Sequence, residues 1–176
     1  MKDERADRRP VSDPEPATWE KPKGGPIDGV VVTPLRVIPD DRGRLMEIFR
    51  SDDEFFAHFG QVYMTTTYPG VVKAWHMHKQ QTDHMCALSG MFRLALFDAR
   101  EGSPTRGVLQ EIYMGEHRPV LVCIPPGIYH GWRCVSEREG LVVNVPDRLY
   151  DYDNPDEFRL PPDTGQIGYD WERRNG

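Results

Sequence analysis

The chain has 176 residues, enough for one well-buried domain, and its net charge of -6 at pH 7 gives no electrostatic reason to expect nucleic acid or an anionic membrane as a partner. No apolar run approaches the length that crosses a bilayer, and the N-terminal segment lacks the apolar stretch of a signal peptide. Three cysteines without a CxxC pair fit free thiols, two of them (Cys86 and Cys123) in apolar core strands, so we expect a cytoplasmic protein.

The first segment of the chain, residues 1–26, is rich in charge and proline and poor in aliphatic side chains. It cannot bury enough apolar area to offset the entropy of ordering, so we predict a flexible N-terminal arm. Residues 27–176 are predicted to form one domain.

From Ile27 onward the sequence predicts an all-β domain. Short runs rich in β-branched and aromatic residues alternate with Gly, Pro, Asp and Ser clusters at intervals of about 8–12 residues. One stretch, SDDEFFAHFG at residues 51–60, is typical of a short helix, with Ser51 as N-cap and Gly60 as stop. The pattern favours a sandwich or barrel of jelly-roll type with one short helix.

Histidines are concentrated in AWHMHKQQTDH, residues 74–84, which contains His76, His78 and His84 together with Asp83. Because side chains alternate along a strand, His76 and His78 are predicted to share one face. A fourth histidine, His130, follows the Pro-Gly turn of IPPGIYHGW. The spacings Gly70-x5-His76-x-His78-x4-Asp83-x6-Gly90 and Pro125-x-Gly127-x2-His130 resemble the two motifs of the cupin superfamily, with Asp where the first motif usually has Glu. That resemblance implies a double-stranded β-helix with the histidines inside it.

Several longer stretches give a narrower resemblance. RGRLME (42–47), GVVKAWH (70–76), GMFRLALFDAREGSPTRG (90–107) and IPPGIYHGW (124–132) resemble motifs of the dTDP-4-dehydrorhamnose 3,5-epimerase family. This family has a dimeric cupin jelly roll and needs no metal. The resemblance therefore implies a homodimer that epimerises a nucleotide-linked 4-keto-6-deoxy sugar, by proton abstraction beside the ketone, with no cofactor.

Carried over position by position, the resemblance makes His76 the catalytic base and puts His130 at the position of the family's cavity histidine. We expect His130 and His84 to polarise the ketone. Substrate-binding roles are implied or expected for a second group of residues: Arg42, Glu47, Gln61, Lys73, His78 and Asn144. Guanidinium and ammonium groups among them suit a diphosphate, which the net charge of the protein otherwise repels.

The sequence departs from the family pattern at three points. The family's catalytic tyrosine aligns with Asn144, and its cavity lysine aligns with His84. The family's aspartate that partners the base lies beyond the closing tryptophan, and only five residues follow Trp171 here. Tyr129 or Tyr150 is a candidate to replace the missing acid.

Other interpretations of the same residues remain open. His76, His78, Asp83 and His130 could hold Fe, Mn, Zn or Ni, because neutral imidazoles and a carboxylate suit such metals, which would give a metal-dependent isomerase or dioxygenase. A non-catalytic nucleotide-sugar binder is a further possibility, because the phenol and the partner aspartate are not matched. The blandest alternative is that His76 and His78 lie on a solvated strand face without a role.

Overall fold

The computed structural model describes residues 23–172. Thirteen strands lie within this range. The first seven are β1 Lys23–Gly24, β2 Val31–Pro34, β3 Val37–Asp40, β4 Gly43–Met46, β5 Tyr63–Thr67, β6 Val72–Met77 and β7 Asp83–Ser89. The remaining six are β8 Met91–Asp98, β9 Val108–Gly115, β10 Val120–Ile124, β11 Ile128–Cys134, β12 Gly140–Asn144 and β13 Phe158–Arg159.

The strands form two large sheets with the core between them. One sheet has the order β1-β9-β8-β11-β6-β13 and the other the order β2-β10-β7-β12-β5. Apolar side chains from both sheets, such as Leu94 and Trp132 from one and Met85, Val122 and Val142 from the other, belong to one buried cluster. The all-β prediction is confirmed, and Cys86 and Cys123 are buried free thiols as predicted.

A second apolar cluster covers the outer face of the six-stranded sheet. Trp75 and Met77 of β6 pack there with Phe97 and with Ile167 and Trp171 from the C-terminal segment. Because Trp75 and Met77 point outward, His76 between them points into the space between the sheets. The outward packing of Trp75 and Met77 thus fixes the direction of His76.

The predicted helix at residues 51–60 is wrong, and no helix occurs among residues 23–172. The segment forms turns, in which the Asp53 amide donates to the Arg50 carbonyl and the Phe56 amide to the Asp53 carbonyl. Phe55 instead stacks with Phe49, at 6.0 Å between ring centroids, on the outside of the five-stranded sheet. This tertiary packing overrides a local sequence preference that is only weak.

The sheet begins within the segment predicted as an arm. Lys23–Gly24 pair in parallel with Val108 and Leu109 of β9. Residues 1–22 of the predicted arm lie outside the described residues. Across the described range, no helix has the length and apolar character needed to cross a membrane.

The hairpin formed by β3 and β4 stands apart from both large sheets. Its two strands pair only with each other among the described strands. Ile38 is 44% exposed and Leu45 is 57% exposed. An apolar hairpin in solvent is a candidate contact surface.

Candidate active site

Two strands remote in sequence bring histidines together between the sheets. His130 of β11 is the register partner of His76 of β6, and their ring centroids lie 6.0 Å apart. His78 follows the end of β6, with its ring centroid 5.8 Å from that of His130. The predicted convergence of these histidines is therefore confirmed.

These histidines line a cavity of about 850 Å³. Seven residues that the sequence singled out lie on its wall: Gln61, Lys73, His76, His78, His130, Asn144 and Tyr150. Both sheets contribute, since β6 and β11 belong to one and β5, β7 and β12 to the other. A space of this size that combines apolar walls with a few converging polar groups is typical of a small-molecule site.

Asp83 is the polar centre of this site. It is 1% exposed, and its Oδ1 accepts hydrogen bonds from the side-chain amides of Gln81 (2.8 Å) and Asn144 (2.7 Å). Its other oxygen, Oδ2, lies 3.4 Å from Nε2 of both His78 and His130. The carboxylate is thus held by neutral amides on one side and faces two imidazoles on the other.

Backbone carbonyls determine the tautomers of these two imidazoles. His78 Nδ1 bonds the Asp156 carbonyl, and His130 Nδ1 bonds the Ile128 carbonyl at 3.2 Å. A carbonyl oxygen can only accept, so each Nδ1 carries a hydrogen and each neutral ring has a lone pair on Nε2. Two lone pairs and a carboxylate oxygen then face one another, within 4.8 Å. Such a cluster needs a shared proton or a cation between its members.

His76 has a different environment from His130. Burial, followed by electrostatic interactions with His130, Arg159 and His78, lowers the pKa of His76 to about 3. Burial also lowers the pKa of His130, but there the Asp83 carboxylate opposes the effect. His76 is therefore a neutral imidazole at physiological pH, with a lone pair on one ring nitrogen.

Asn144 connects Asp83 to a phenol. Its Nδ2 donates to Asp83 and also to the Tyr63 hydroxyl at 2.9 Å, while its Oδ1 accepts the His84 backbone N–H at 3.0 Å. The amide orientation is fixed because a carboxylate accepts and a backbone N–H donates. The Tyr63 oxygen is therefore an acceptor here, and the phenol keeps its own proton for another partner.

Several residues line the cavity that sequence reasoning did not identify, among them Tyr63, Glu157 and Arg159. Tyr63 had a detectable signal, because Gln61 and Tyr63 are two positions apart and side chains alternate along a strand. Glu157 and Arg159 form an ion pair of 2.7 Å near the two-residue strand β13, which is too short to give a periodic pattern.

The prediction that His84 faces the ketone needs correction. His84 lies on the other face of β7 from Asp83, stacked on Phe49 at 4.4 Å and on Phe55 at 6.0 Å between ring centroids. Its Nδ1 bonds the Val145 carbonyl. Because faces alternate along a strand, an error of one residue moves a side chain out of the cavity, and the cavity position belongs to Asp83.

Three other predicted residues also lie away from the cavity of their own chain. Arg42 is on the exposed turn of the β3–β4 hairpin and bonds Asp40. Glu47 pairs with Arg50 on the surface. Tyr129, a candidate acid, is buried in the apolar cluster outside the six-stranded sheet. The other candidate, Tyr150, lies on the cavity wall.

Fold and site together define a cupin-type jelly roll with a histidine-lined cavity that suits acid–base chemistry on a small molecule. Comparison with known proteins narrows this class. Residues 25–175 match the family model described as dTDP-4-dehydrorhamnose 3,5-epimerase, and the chain belongs to this family.

Relatives and solved structures agree with this membership. A probable low-salt glycan biosynthesis epimerase of Haloferax volcanii is 43% identical over 147 residues, which cover 82% of this chain and 94% of the relative. A spore coat polysaccharide biosynthesis protein of Bacillus subtilis is 41% identical over 145 residues, covering 82% and 96%. The crystal structure of a dTDP sugar isomerase from Desulfovibrio desulfuricans G20 superposes with a TM-score of 0.78 at 30% identity, covering 82% of this chain and 92% of that one. The cupin jelly roll implied by the sequence is thus confirmed.

Proposed function

We propose that this protein epimerises a nucleotide-linked 4-keto-6-deoxy sugar by moving a proton at a carbon next to the ketone. The observation that carries the proposal is the position of His76, a buried neutral imidazole on the wall of a cavity of about 850 Å³. The ketone acidifies the hydrogens at C3 and C5, and His76 removes one of them. His130 Nε2 lies 3.4 Å from Asp83 Oδ2, and a proton shared between these two atoms allows His130 to stabilise the negative charge that develops on the ketone oxygen.

Cationic side chains on the same wall support a nucleoside diphosphate as the nucleotide half of the substrate. Lys73 points its ammonium group at the Thr65 hydroxyl (2.7 Å) and the Thr66 carbonyl (2.6 Å), and it lines the cavity with Arg159 and Gln61. An ammonium and a guanidinium suit pyrophosphate oxygens. Asn144 and His78 are available to contact the sugar.

Incubation of the protein with dTDP-4-keto-6-deoxyglucose in D2O tests the proposed proton transfer. Deuterium is expected at C3, C5 or both, with formation of an epimer, and His76→Asn is expected to abolish incorporation. No deuterium and no epimer with several nucleotide sugars would contradict the proposal. Tight binding of these sugars without exchange would instead identify a non-catalytic binder.

We propose that the protein forms a homodimer. The β3–β4 hairpin exposes Ile38 and Leu45, and Arg42 at its turn lies away from the cavity of its own chain. We propose that a second copy covers this hairpin and receives Arg42 at its own cavity.

Light scattering should give a dimer. Co-expression of Arg42→Ala and His76→Asn chains should restore about a quarter of wild-type activity, because half of the dimers are mixed and each has one intact site. No restoration would show that Arg42 does not act across subunits.

We also propose that the protein acts in the cytoplasm. Its three cysteines are all buried free thiols, and free thiols persist in a reducing compartment. Cell fractionation with an antibody to the protein tests this location.

Metal-dependent isomerase or dioxygenase chemistry is a second candidate, favoured by the three acceptor atoms of His78, Asp83 and His130. The Nδ1 atoms of His78 and His130 bond backbone carbonyls, which is the usual arrangement for histidines that bind a metal through Nε2. A divalent cation held there would polarise a bound oxygen. Equilibrium dialysis with Fe, Mn, Zn and Ni tests this candidate, with Asp83→Asn as the control. Failure of all four metals to bind would eliminate it, and the epimerase proposal requires none.

A further inference from the structure

The replacement of the family's catalytic tyrosine leaves the proposed epimerase without the acid expected at position 144. Asn144 occupies that position in β12, and its register partner on the neighbouring strand β5 is Tyr63. Resting on the proposed function, we infer that Tyr63 is the catalytic acid, which donates a proton to the sugar carbon on the face opposite His76. The phenol is thus on β5 in this chain, opposite the β12 position at which the family has its tyrosine.

Hydrogen bonding around Tyr63 supports this role. Tyr63 lines the cavity and is 44% exposed, but its hydroxyl oxygen lies 2.9 Å from the buried Asn144 amide. That amide donates, so the phenolic oxygen accepts and its own hydrogen is left for a ligand. Asn144 is in turn held by Asp83 and by the His84 backbone, which fixes the position of the phenol.

The two sheets put Tyr63 and His76 on opposing walls. His76 belongs to β6 in the six-stranded sheet, and Tyr63 belongs to β5 in the five-stranded sheet. A sugar ring between the sheets would present one face to the imidazole and the other to the phenol. Removal of a proton on one face and delivery on the other inverts the carbon.

The chemical step balances without any added reactant. His76 Nε2 or Nδ1 takes the proton from the carbon, and the electrons of that C–H bond form the enolate, with negative charge on the ketone oxygen. The enolate electrons then form a new C–H bond with the Tyr63 proton, which leaves a phenolate. Exchange with water returns a proton to Tyr63 and removes one from His76, so the net reaction is inversion alone.

The protonation state of Tyr63 is suitable for this role. Burial, and then the negative charge of Asp83, raise the pKa of Tyr63 to about 12, although the Asn144 hydrogen bond opposes them. The phenol therefore stays protonated before each turnover.

Two other tyrosines lie on the cavity wall and are the rivals for this role. Tyr152 is 80% exposed and Tyr150 is 38% exposed, and their rings contact each other at 5.0 Å between centroids. Neither is hydrogen-bonded to the Asn144–Asp83 pair, which holds Tyr63. They belong to the loop before β13, whereas Tyr63 belongs to a sheet.

Tyr63→Phe tests the inference with two measurements on the same reaction in D2O. Formation of the epimer should fall about 100-fold or more, which is the usual loss on removing a general acid. Deuterium incorporation into recovered, non-inverted substrate should fall less than tenfold, because His76 can still remove a proton and return a deuteron on its own face. Tyr68→Phe is the matched control, because Tyr68 is a 70% exposed phenol outside the cavity.

A reciprocal exchange provides the second variant. Tyr63→Asn combined with Asn144→Tyr keeps the composition of the pair and returns the phenol to the family's position, so epimer formation should exceed that of Tyr63→Phe at least tenfold. If thermal unfolding shows that Tyr63→Phe does not fold, the double variant can be assayed in its place and should form the epimer.

Each remaining outcome overturns the inference. The inference is wrong if Tyr63→Phe forms the epimer at a rate within threefold of wild type. It is also wrong if Tyr63→Phe reduces deuterium exchange and inversion by the same factor. The inference is wrong, too, if Tyr150→Phe, and not Tyr63→Phe, loses epimer formation but retains deuterium exchange. Absence of exchange in the wild-type protein would instead contradict the proposed function itself.

Discussion

Two carboxylates of this domain are almost completely buried, and their surroundings differ in kind. Asp98, at the end of β8, accepts hydrogen bonds from the Arg100 guanidinium (2.8 and 2.9 Å) and from the hydroxyls of Ser103 and Thr105 (both 2.6 Å). Asp83, at the start of β7, faces two amides and two imidazoles. A permanent cation neutralises the first carboxylate, whereas the second has partners that can gain or lose a proton.

The difference predicts a structural role for Asp98 and a functional role for Asp83. Burial alone raises the pKa of Asp98, but the hydrogen bonds from Arg100, Ser103 and Thr105 outweigh it and hold the pKa well below its usual range. Asp98 therefore stays ionised and ties together the turn after β8. Asp83 instead adjoins the cavity, where it opposes the lowering of the His130 pKa by burial. Burial by itself does not distinguish the two roles, but the chemistry of the partners does.

The largest expected effect comes from Asp83→Asn. The new carbonyl oxygen can still accept from Gln81 and Asn144, and the new amide can donate to the imidazoles, so unfolding free energy should change by no more than about 1 kcal/mol. Activity depends on the lost charge, and kcat/KM should fall about 100-fold or more. Steady-state kinetics and urea unfolding of the same preparation measure both. A fall in stability that matches Asp98→Asn would remove the distinction between the two carboxylates.

Asp98→Asn should have the opposite profile. An amide cannot replace the charged acceptor of Arg100, so unfolding free energy should fall by about 2–3 kcal/mol, as is usual for a disrupted buried network. The turn lies outside the catalytic cavity, and kcat/KM should stay within twofold of wild type at a temperature where both proteins are folded. Activity lost in proportion to that of Asp83→Asn would contradict the structural role.

The depressed pKa of Asp98 predicts that its contribution to the unfolding free energy depends on pH. Because the folded pKa lies below the unfolded value of about 3.9, the contribution of Asp98 is complete above pH 5 and is lost as the pH falls. The difference in unfolding free energy between wild type and Asp98→Asn should be constant from pH 7 to 5. At pH 3 it should be smaller by about 1 kcal/mol. Urea unfolding at the three pH values measures it, and a difference that narrows above pH 5 would point to another group.

The same comparison shows how far sequence reasoning could go. The alternation in WHMH and the Pro-Gly turn before His130 predicted the convergence of His76, His78 and His130, because strand periodicity is local. The role proposed for Tyr63 depends on the register between β5 and β12, strands whose paired residues are about eighty positions apart, and no local pattern encodes that register. The face of His84 depended on where β7 begins, and an error of one residue reversed it.

The smallest effect is expected at His84, next to Asp83 in sequence but outside the cavity. His84→Phe retains the stacking on Phe49 and Phe55 and loses one hydrogen bond to the Val145 carbonyl. His84 Nε2 has no hydrogen-bond partner, so its removal relieves a buried unsatisfied atom and offsets part of that loss. Unfolding free energy should fall by about 1 kcal/mol or less, and kcat/KM should stay within twofold of wild type. A fall of 100-fold, as expected for Asp83→Asn, would return His84 to the catalytic site and reverse the assignment of the two faces of β7.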